Sequence, residues 1–315
     1  MSKVRVVFLG TPDFAVTPLM SMAKDDHFQI VEVITQPDRP KGRNMQVQST
    51  PVKEAALKLE LPVRNTESVN TPEFIAHLKS LKADVAVVIA FGQIVSEEFL
   101  KLFPFGAVNV HGSLLPKWRG AAPIQRSVEA GDKETGVALQ IVVKALDAGA
   151  ILGVRKIPLS PRDTSASVYE KLKNLSSELL EIELMDYIRG NLMGEKQDES
   201  KVTIAKKLKK EEGIINWQSK AEEIFNKIRA FDIWPGTWTY WNKKQLKILS
   251  AEPAETKGAP GKVIRVEKDA FYVGTGDFSL KITEVQLEGK AKTSVDNFLR
   301  GYSLKEGDIF ESTAQ

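Results

Sequence analysis

The sequence contains no cysteine and only three histidines among its 315 residues. Without cysteine the chain can form neither a disulfide nor a thiolate nucleophile nor a zinc site with sulfur ligands, and the absence is compatible with a cytoplasmic location. His27, His77 and His111 are scattered without the short spacing of metal ligands. We therefore expect a metal-free mechanism.

Long apolar runs and a large charge excess are also absent. No stretch approaches the roughly 20 apolar residues that span a bilayer, and the first apolar segment reaches Gly10 too soon for a signal peptide. We expect a soluble protein with no membrane partner. Basic residues exceed acidic residues by three, and this excess lies in residues 206–315, with 19 basic and 16 acidic residues. It points toward nucleic acid, although a solvated charged surface is the ordinary explanation.

The first half of the chain alternates strand-like and helix-like segments. Val4–Leu9 and Ile30–Thr35 have the strand pattern, and Phe14–Lys24 between them is compatible with a helix. Val85–Ala90 is apolar throughout, which is typical of a parallel strand buried on both faces. We predict an α/β fold with a parallel sheet. The turn Gly10–Phe14 lacks the three-glycine spacing of a dinucleotide site, so no such site is predicted.

The second half has a different pattern. A helical stretch, Ser165–Met193, is followed by a polar, turn-rich segment. After one further helix, Lys220–Ala230, short strand-like segments alternate with turn signals, which favours a small β-barrel. A chain with 42% hydrophobic residues is long enough for two cores. We predict domains at residues 1–190 and 207–315, joined by a linker at 191–206.

Asn109 and His111 are the strongest catalytic candidates. They end a short apolar strand, where residues two apart project to the same face, so an amide donor and an imidazole would meet there. Asp147 follows the strand Val137–Val143 in a glycine-containing turn and could orient or charge the imidazole. Taken singly, each residue has an ordinary structural explanation as a turn former or a hydrogen-bonded surface group. Their combination with the unusual run SLLPKWRGAAPIQ, starting at Ser113, favours a catalytic centre.

A basic segment lies between Gln36 and Pro51. It contains three prolines together with Arg39, Lys41 and Arg43, while Asp38 is its only acidic residue. We predict a mobile basic loop that could bind a polyanion. A solvated surface loop would have a similar composition, and composition alone leaves both explanations open.

The sequence NVHGSLLP at 109–116 matches the signature of the folate-dependent formyltransferases, which the chain resembles. The resemblance covers essentially the whole chain. Four further segments resemble the members of that family that act on initiator methionyl-tRNA: GTPDFA at 10–15, TQPDRPKGR at 35–43, KWRGAAPIQR at 117–126 and IRAFDIWP at 228–235.

The resemblance implies a fold and an activity. The expected fold is a Rossmann-like formyltransferase domain followed by a β-barrel similar to an oligonucleotide-binding (OB) fold. The expected reaction transfers the formyl group of 10-formyltetrahydrofolate to the free α-amino group of initiator methionyl-tRNA.

The resemblance also implies binding residues. The formyl-donor pocket would be lined by Ser113, Leu114, Leu115 and Pro116 and by Val88, Ile89, Ala90 and Phe91, although the segment 88–90 could equally be core. The basic loop would contact the acceptor end of tRNA, with Arg43 at the position of the family's functional arginine. The barrel would dock tRNA through basic side chains: Lys206, Lys207, Lys209 and Lys210.

The implied chemistry suits the three candidate residues. Attack of an amine on the formyl carbonyl develops negative charge on oxygen, which Asn109 and His111 would stabilise by hydrogen bonds. Asp147 would favour the charged imidazole and help move the amine proton. Two alternatives stay open: a formyltransferase or hydrolase acting on a small amine or on water, and a non-catalytic RNA-binding protein. We expect a monomer.

Overall fold

The computed structural model describes residues 3–41, without the side chain of Lys41, and residues 46–313. The chain divides into two compact units that interleave along the sequence. The first unit comprises residues 1–123, 134–158 and 169–205, and the second comprises 124–133, 159–168 and 206–315. The division into 1–190, 191–206 and 207–315 stays a prediction.

Strands and helices are numbered separately in chain order. The strands are β1 (Val4–Gly10), β2 (Phe28–Thr35), β3 (Arg39–Lys41), β4 (Gln46–Gln48), β5 (Val63–Asn65), β6 (Val85–Ile89), β7 (Ala107–His111), β8 (Arg119–Gly120), β9 (Glu134–Ile141), β10 (Ile151–Pro158), β11 (Ile204–Ala205), β12 (Trp238–Trp241), β13 (Lys244–Ala254), β14 (Val263–Val266), β15 (Phe271–Gly274), β16 (Ser279–Leu287) and β17 (Thr293–Ser294). The helices are α1 (Val16–Lys24), α2 (Pro51–Lys58), α3 (Pro72–Ser80), α4 (Glu97–Leu100), α5 (Pro123–Glu129), α6 (Ser165–Leu179), α7 (Met185–Ile188), α8 (Ala221–Ala230) and α9 (Val295–Gly301).

The first unit is built on a seven-stranded sheet in the order β10-β9-β7-β6-β1-β2-β5. The five strands from β7 to β5 are parallel, whereas β9 runs antiparallel to β7, and β10 runs antiparallel to β9. The predicted α/β class with a mainly parallel sheet is therefore confirmed. The antiparallel direction of β9 and β10 was not predicted, and the pairing of β9 with β7 determines which of its residues faces Asn109.

Local sequence explains the helices that cover this sheet. The helices α2 and α3 each begin at a threonine followed by proline, and the hydroxyls of Thr50 and Thr71 accept hydrogen bonds from the N–H groups of Lys53 and Phe74. A threonine cap with proline at the first helical position fixes a helix start, because proline has no N–H that needs a partner there. Among the described residues, no helix is long and apolar enough to cross a membrane.

The second unit contains a curled antiparallel sheet in the order β12-β13-β16-β15-β14, with β17 paired to β16. Its inner face packs around buried aromatic and aliphatic residues, among them Trp241, Phe271 and Phe298, with α8 and α9 contributing to the same core. The predicted small β-rich domain is confirmed, and its strands form a curled half-barrel.

Candidate active site

Asn109 and His111 lie on β7, two residues apart in an extended strand. Their side chains therefore project to the same face of the sheet. His111 is buried, whereas Asn109 is partly exposed. Within the part of the chain that the structure describes, no protein group hydrogen-bonds the Asn109 amide, so its donors are available to a ligand.

The register of the sheet places two further residues beside Asn109. Val88 of β6 and Gln140 of β9 are its direct partners on either side. Residues that face each other across paired strands share one face of the sheet. Gln140 is 2% exposed and therefore lies under the site as a buried polar group.

Asp147 lies in the connection from β9 to β10, which returns it to this face. Its Oδ2 atom is 3.6 Å from Nδ1 of His111, and its side chain is 13% exposed. The backbone N–H of Gly120 donates to Oδ2 at 2.9 Å, and Nε2 of Gln140 donates to Oδ1 at 3.0 Å. Both carboxylate oxygens are thus held by neutral donors, and the negative charge faces the imidazole.

The hydrogen bond of His111 defines its tautomer. Nε2 lies 2.8 Å from the carbonyl oxygen of Trp118, and because a carbonyl can only accept, Nε2 carries a hydrogen and donates. Nδ1 faces Asp147 at 3.6 Å, which is longer than a normal hydrogen bond. Nδ1 of His111 and the Asp147 carboxylate are therefore close neighbours that are not joined by a hydrogen bond.

The segment 118–120 supplies two of these contacts and is itself held by the end of the predicted linker. The strand β8 pairs with β11, and the Trp118 N–H donates to the hydroxyl of Thr203 at 2.9 Å. Gly120 has φ +121°, and a Cβ there would lie 2.7 Å from the carbonyl oxygen of Ala205. Only glycine permits this close approach without a shift of the backbone.

Gln197, also from the predicted linker, holds the turn that carries Asp147. Its Nε2 donates to the carbonyl oxygens of Asp147 at 2.8 Å and Gly149 at 2.7 Å. Its Oε1 accepts from the buried guanidinium of Arg119, from Nε at 3.0 Å and from Nη2 at 2.8 Å. Arg119 also pairs with Glu199 at 2.8 Å. The Arg119 side chain holds the pKa of the Glu199 carboxyl below its ordinary value.

Three of the seven described non-glycine residues with a positive φ lie around this centre. Ala90, Trp118 and Asp147 have φ values of +47°, +62° and +49°. Residues other than glycine adopt this left-handed region at a cost of roughly 1–3 kcal/mol each, and such residues cluster at functional sites. The strained residues lie where the sheet face meets its loops, which supports a functional role for this surface.

Two family models match the chain. The Formyl transferase model matches residues 3–183, and the model described as Formyl transferase, C-terminal domain, matches residues 207–303. The methionyl-tRNA formyltransferase of Bdellovibrio bacteriovorus is 49% identical over 314 residues, which is 98% of this chain and 99% of that protein. The chain belongs to the methionyl-tRNA formyltransferase family. The methionyl-tRNA formyltransferase of Caldanaerobacter subterraneus is 42% identical over 98% of this chain and all of that protein.

Solved structures share the fold of this family at lower identity. An N-formyltransferase from Helicobacter canadensis, in complex with folinic acid and dTDP-3-aminofucose, has a TM-score of 0.67 at 20% identity, covering 92% of this chain and all of that one. HypX from Aquifex aeolicus in complex with tetrahydrofolic acid has a TM-score of 0.61 at 19% identity, covering 98% of this chain and 51% of that one. At these identities the likeness concerns the fold.

The first segment predicted to bind the formyl donor, residues 113–116, follows β7. The Ser113 hydroxyl is buried and donates to the carbonyl oxygen of Lys117 at 2.6 Å, so it closes the turn. Leu115 is buried, whereas Leu114 and Pro116 are partly exposed. A ligand at this segment would therefore meet Leu114, Pro116 and backbone atoms before it met the Ser113 hydroxyl.

The second segment predicted to bind the formyl donor, residues 88–91, lies at the end of β6. Ile89 and Phe91 are buried, whereas Val88 is partly exposed and Ala90 is exposed. The Phe91 carbonyl oxygen accepts hydrogen bonds from the Thr11 hydroxyl at 3.0 Å and from the Gln36 amide at 3.3 Å. The side chains open to a ligand are therefore Val88, beside Asn109, and Ala90.

The basic loop has more local structure than its composition predicts. The strands β3 and β4 pair as an antiparallel hairpin, and Asp38 at its base accepts from Lys53 on α2 at 2.5 Å. Arg39 forms an exposed ion pair with Glu67 at 2.6 Å. The Lys41 side chain and the whole of Arg43 lie outside the described residues.

The four lysines predicted to bind tRNA, Lys206, Lys207, Lys209 and Lys210, are all exposed. Nearby, Arg126 donates to the Lys206 carbonyl oxygen at 3.2 Å and pairs with Glu212 at 2.7 Å. Burial raises the pKa of Glu212, but the hydrogen bonds from Arg126 and from the Lys209 N–H outweigh burial and lower the pKa overall. This segment is thus anchored while its lysines stay in solvent.

Sequence reasoning missed Gln140, Gln197 and the role of Arg119. Gln140 interrupts an otherwise apolar strand, which is a signal that the sequence does contain. Gln197 lies in a polar segment where nothing local distinguishes it. Among the described residues, no group of three or more His, Cys, Asp or Glu side chains could hold a metal ion.

Proposed function

We propose that this protein transfers the formyl group of 10-formyltetrahydrofolate to the α-amino group of initiator methionyl-tRNA. The observation that carries the proposal is the centre of Asn109, His111 and Asp147 on one sheet face in a chain 49% identical to a methionyl-tRNA formyltransferase along its whole length.

The reaction is an attack of a substrate amine on a substrate carbonyl. A bond forms between the methionyl nitrogen and the formyl carbon, while the bond from that carbon to the folate nitrogen breaks. The proton lost by the amine is finally taken up by the leaving nitrogen. The nucleophile belongs to the substrate, so the enzyme needs no cysteine or activated serine.

Negative charge develops on the formyl oxygen during this attack. The Asn109 amide, which has no protein partner among the described residues, would donate to that oxygen. A proton on Nδ1 of His111 would supply a second donor, because the 3.6 Å separation leaves it outside a normal hydrogen bond with Asp147. One such donor contributes on the order of 3 kcal/mol, or roughly a hundredfold in rate.

Asp147 would supply the compensating negative charge. Its side chain is 13% exposed and its two oxygens are fixed, so it faces the imidazole in a site largely shielded from water. Shielding strengthens charge interactions. The carboxylate would also accept the amine proton, directly or through water.

The surroundings of Asn109 fit a folate-type formyl donor. Val88, Leu114 and Pro116 are partly exposed apolar groups near this face, and Ala90 is exposed. Pockets for such ligands combine an apolar lining with a few placed polar groups. The donor would lie against these four residues, with its formyl oxygen toward Asn109.

The tRNA substrate would be bound by basic side chains. Arg39, Lys41 and Arg43 of the hairpin would contact the acceptor end, and the exposed lysines Lys206, Lys207, Lys209 and Lys210 would contact phosphates. Arg39 would exchange Glu67 for a phosphate, at small cost because that ion pair is exposed. We further propose a cytoplasmic, monomeric enzyme.

The test is transfer of labelled formyl from 10-formyltetrahydrofolate to charged initiator tRNA, compared with uncharged tRNA and free methionine. His111→Ala should abolish the transfer, whereas His27→Ala, at an exposed histidine, should leave it intact. Consumption of the donor without formyl-methionine would instead indicate a formyltransferase or hydrolase with another acceptor. Binding of tRNA with the donor untouched would refute a catalytic function.

A further inference from the structure

Two buried glutamines adjoin Asp147 without belonging to the proposed catalytic centre. Gln140 is 2% exposed and Gln197 is 5% exposed. They come from different parts of the unit, Gln140 from β9 and Gln197 from the segment between α7 and β11. Buried amides cost free energy unless they are hydrogen-bonded, so their partners reveal what they hold.

Arg119 determines which way the amide of Gln197 faces. A guanidinium can only donate, so the atom of Gln197 that contacts it at 2.8 Å and 3.0 Å must be the oxygen. The NH2 group of Gln197 therefore faces the carbonyl oxygens of Asp147 and Gly149. The orientation of this amide follows from donor and acceptor chemistry alone.

The same argument continues to Gln140. The carboxylate of Asp147 can only accept, so the atom of Gln140 that lies 3.0 Å from its Oδ1 must be the NH2 group. The oxygen of Gln140 then lies 3.3 Å from the NH2 group of Gln197. Arg119 thus orients the amide of Gln197, and the Asp147 carboxylate orients the amide of Gln140. Both glutamines therefore turn their NH2 groups toward Asp147, Gln140 toward the carboxylate and Gln197 toward the backbone of the turn.

These bonds fix Asp147 in two ways. Gln140 and the Gly120 N–H hold one carboxylate oxygen each, which prevents rotation of the carboxylate away from His111. Gln197 holds the backbone of the turn at Asp147, whose φ is +49°. A strained backbone persists only where its surroundings hold it, and Gln197 supplies that hold.

We propose that Gln140 and Gln197 are positioning residues for formyl transfer, which act by aiming the Asp147 carboxylate at His111. The inference rests on the proposed function. It also gives the segment 195–205, which lies within the predicted linker 191–206, a part in completing the active site. Neither glutamine needs to touch a substrate.

The experiment compares Gln140→Leu and Gln140→Glu with the wild-type enzyme in formylation of methionyl-tRNA. Gln140→Leu removes the donor, and kcat should fall about tenfold to a hundredfold, as for loss of a hydrogen bond to a charged group, while both KM values change less than about threefold. Gln29→Leu is the matched control, because Gln29 lies exposed on β2 of the same sheet and its side chain accepts a hydrogen bond from Arg5, far from Asp147 in the sheet order. Its kcat should equal that of the wild type.

The variant Gln140→Glu distinguishes a role of Gln140 in positioning Asp147 from a role in packing the core. Gln140→Glu keeps the shape of the side chain but presents a carboxylate to Asp147. Two carboxylates in contact favour sharing one proton, and the protonated group can donate again. The activity of Gln140→Glu relative to the wild type should therefore rise as the pH is lowered from 8 to 6.

Gln197→Glu extends the test, because it keeps the acceptor for Arg119 and removes the donors to the turn. Its kcat should fall with little change in either KM. Thermal melting identifies any variant that has lost its fold, and the isosteric glutamate variants then decide the question.

The inference is overturned if Gln140→Leu, correctly folded, retains kcat within threefold of the wild type. It is also overturned if Gln140→Glu follows the wild-type pH profile at a constant ratio. If the wild-type enzyme does not formylate methionyl-tRNA, the proposed function is refuted instead. The same variants, assayed with the amine that the enzyme does formylate, would still decide the role of the two glutamines.

Discussion

Asp147→Asn should nearly abolish formyl transfer while leaving the fold intact. The new side chain has the same shape but one oxygen and one NH2 group. The two oxygens of Asp147 accept from the N–H of Gly120 and from the amide of Gln140. If the NH2 group of the new amide faces the Gly120 N–H, that hydrogen bond is lost, and if it faces Gln140, the Gln140 amide must turn over or lose its bond. In both cases the negative charge beside His111 disappears.

The structure sets the size of the effect. Two unit charges 3.6 Å apart attract by about 4–5 kcal/mol at an effective dielectric constant of roughly 20, and the 13% exposure of Asp147 reduces this somewhat. A hydrogen bond to a charged group adds about 1.5–3 kcal/mol. Part of the charge attraction and part of the hydrogen-bond energy already stabilise the enzyme before the reaction. We therefore expect Asp147→Asn to reduce stabilisation of the transition state by about 3–5 kcal/mol, which slows the reaction by a hundredfold to several thousandfold.

The assay is single-turnover formylation with the enzyme and 10-formyltetrahydrofolate in excess over charged tRNA, with melting followed in parallel. Asp26→Asn makes the same chemical change at a fully exposed aspartate and should react at the wild-type rate. If Asp147→Asn is folded and reacts within threefold of the wild type, Asp147 supplies neither charge nor orientation, and the assignment of the centre is wrong.

Three further predictions concern the surrounding structure. Gly149→Ala should lower both the melting temperature and the activity, because its Cβ would lie 1.6 Å from a backbone carbonyl oxygen of β9. Gly301→Ala is the control and should change neither, because there is open space around Gly301. Arg126→Met should destabilise the fold by about 1–2 kcal/mol at pH 7. The pKa of Glu212 is held below its ordinary 4.5, so the stability that its pair with Arg126 contributes is lost as the pH falls through the lowered value. In pH-dependent unfolding the difference in stability between variant and wild type should therefore narrow below about pH 4.5, while the part due to the Lys206 carbonyl oxygen remains. Lys207→Glu should raise KM for methionyl-tRNA about threefold to tenfold at low salt, leave KM for the formyl donor unchanged, and lose its effect as salt is added.

The sequence predicted the parts of the site that depend on local geometry. Asn109 and His111 share a face because a strand alternates its side chains, and this holds wherever the strand lies. The mainly parallel sheet followed from the alternation of apolar segments along the first half of the chain. The direction of β9 was not predicted, since an apolar strand has the same composition whether it pairs parallel or antiparallel.

The contacts of Asp147 could not be predicted in this way. Gln140 faces Asn109 only because β9 pairs with β7 in one particular register, and a shift by one residue would turn its side chain to the other face. Gln197 lies 50 residues from Asp147 along the chain and reaches it through a backbone path that no local pattern describes.

The sequence by itself determined the α/β class of the first unit, the β-rich second unit and the pairing of an amide with an imidazole on one strand. These features depend on the intrinsic geometry of the backbone and on the spacing of apolar residues. Only the tertiary structure decided that the segment after α7 returns to the sheet, that Arg119 orients the buried Gln197, and that Gln140 and Gln197 fix the carboxylate and the turn of Asp147. The reason is physical: a buried polar group must find its partner wherever the folded chain places one, and that partner is usually distant in sequence.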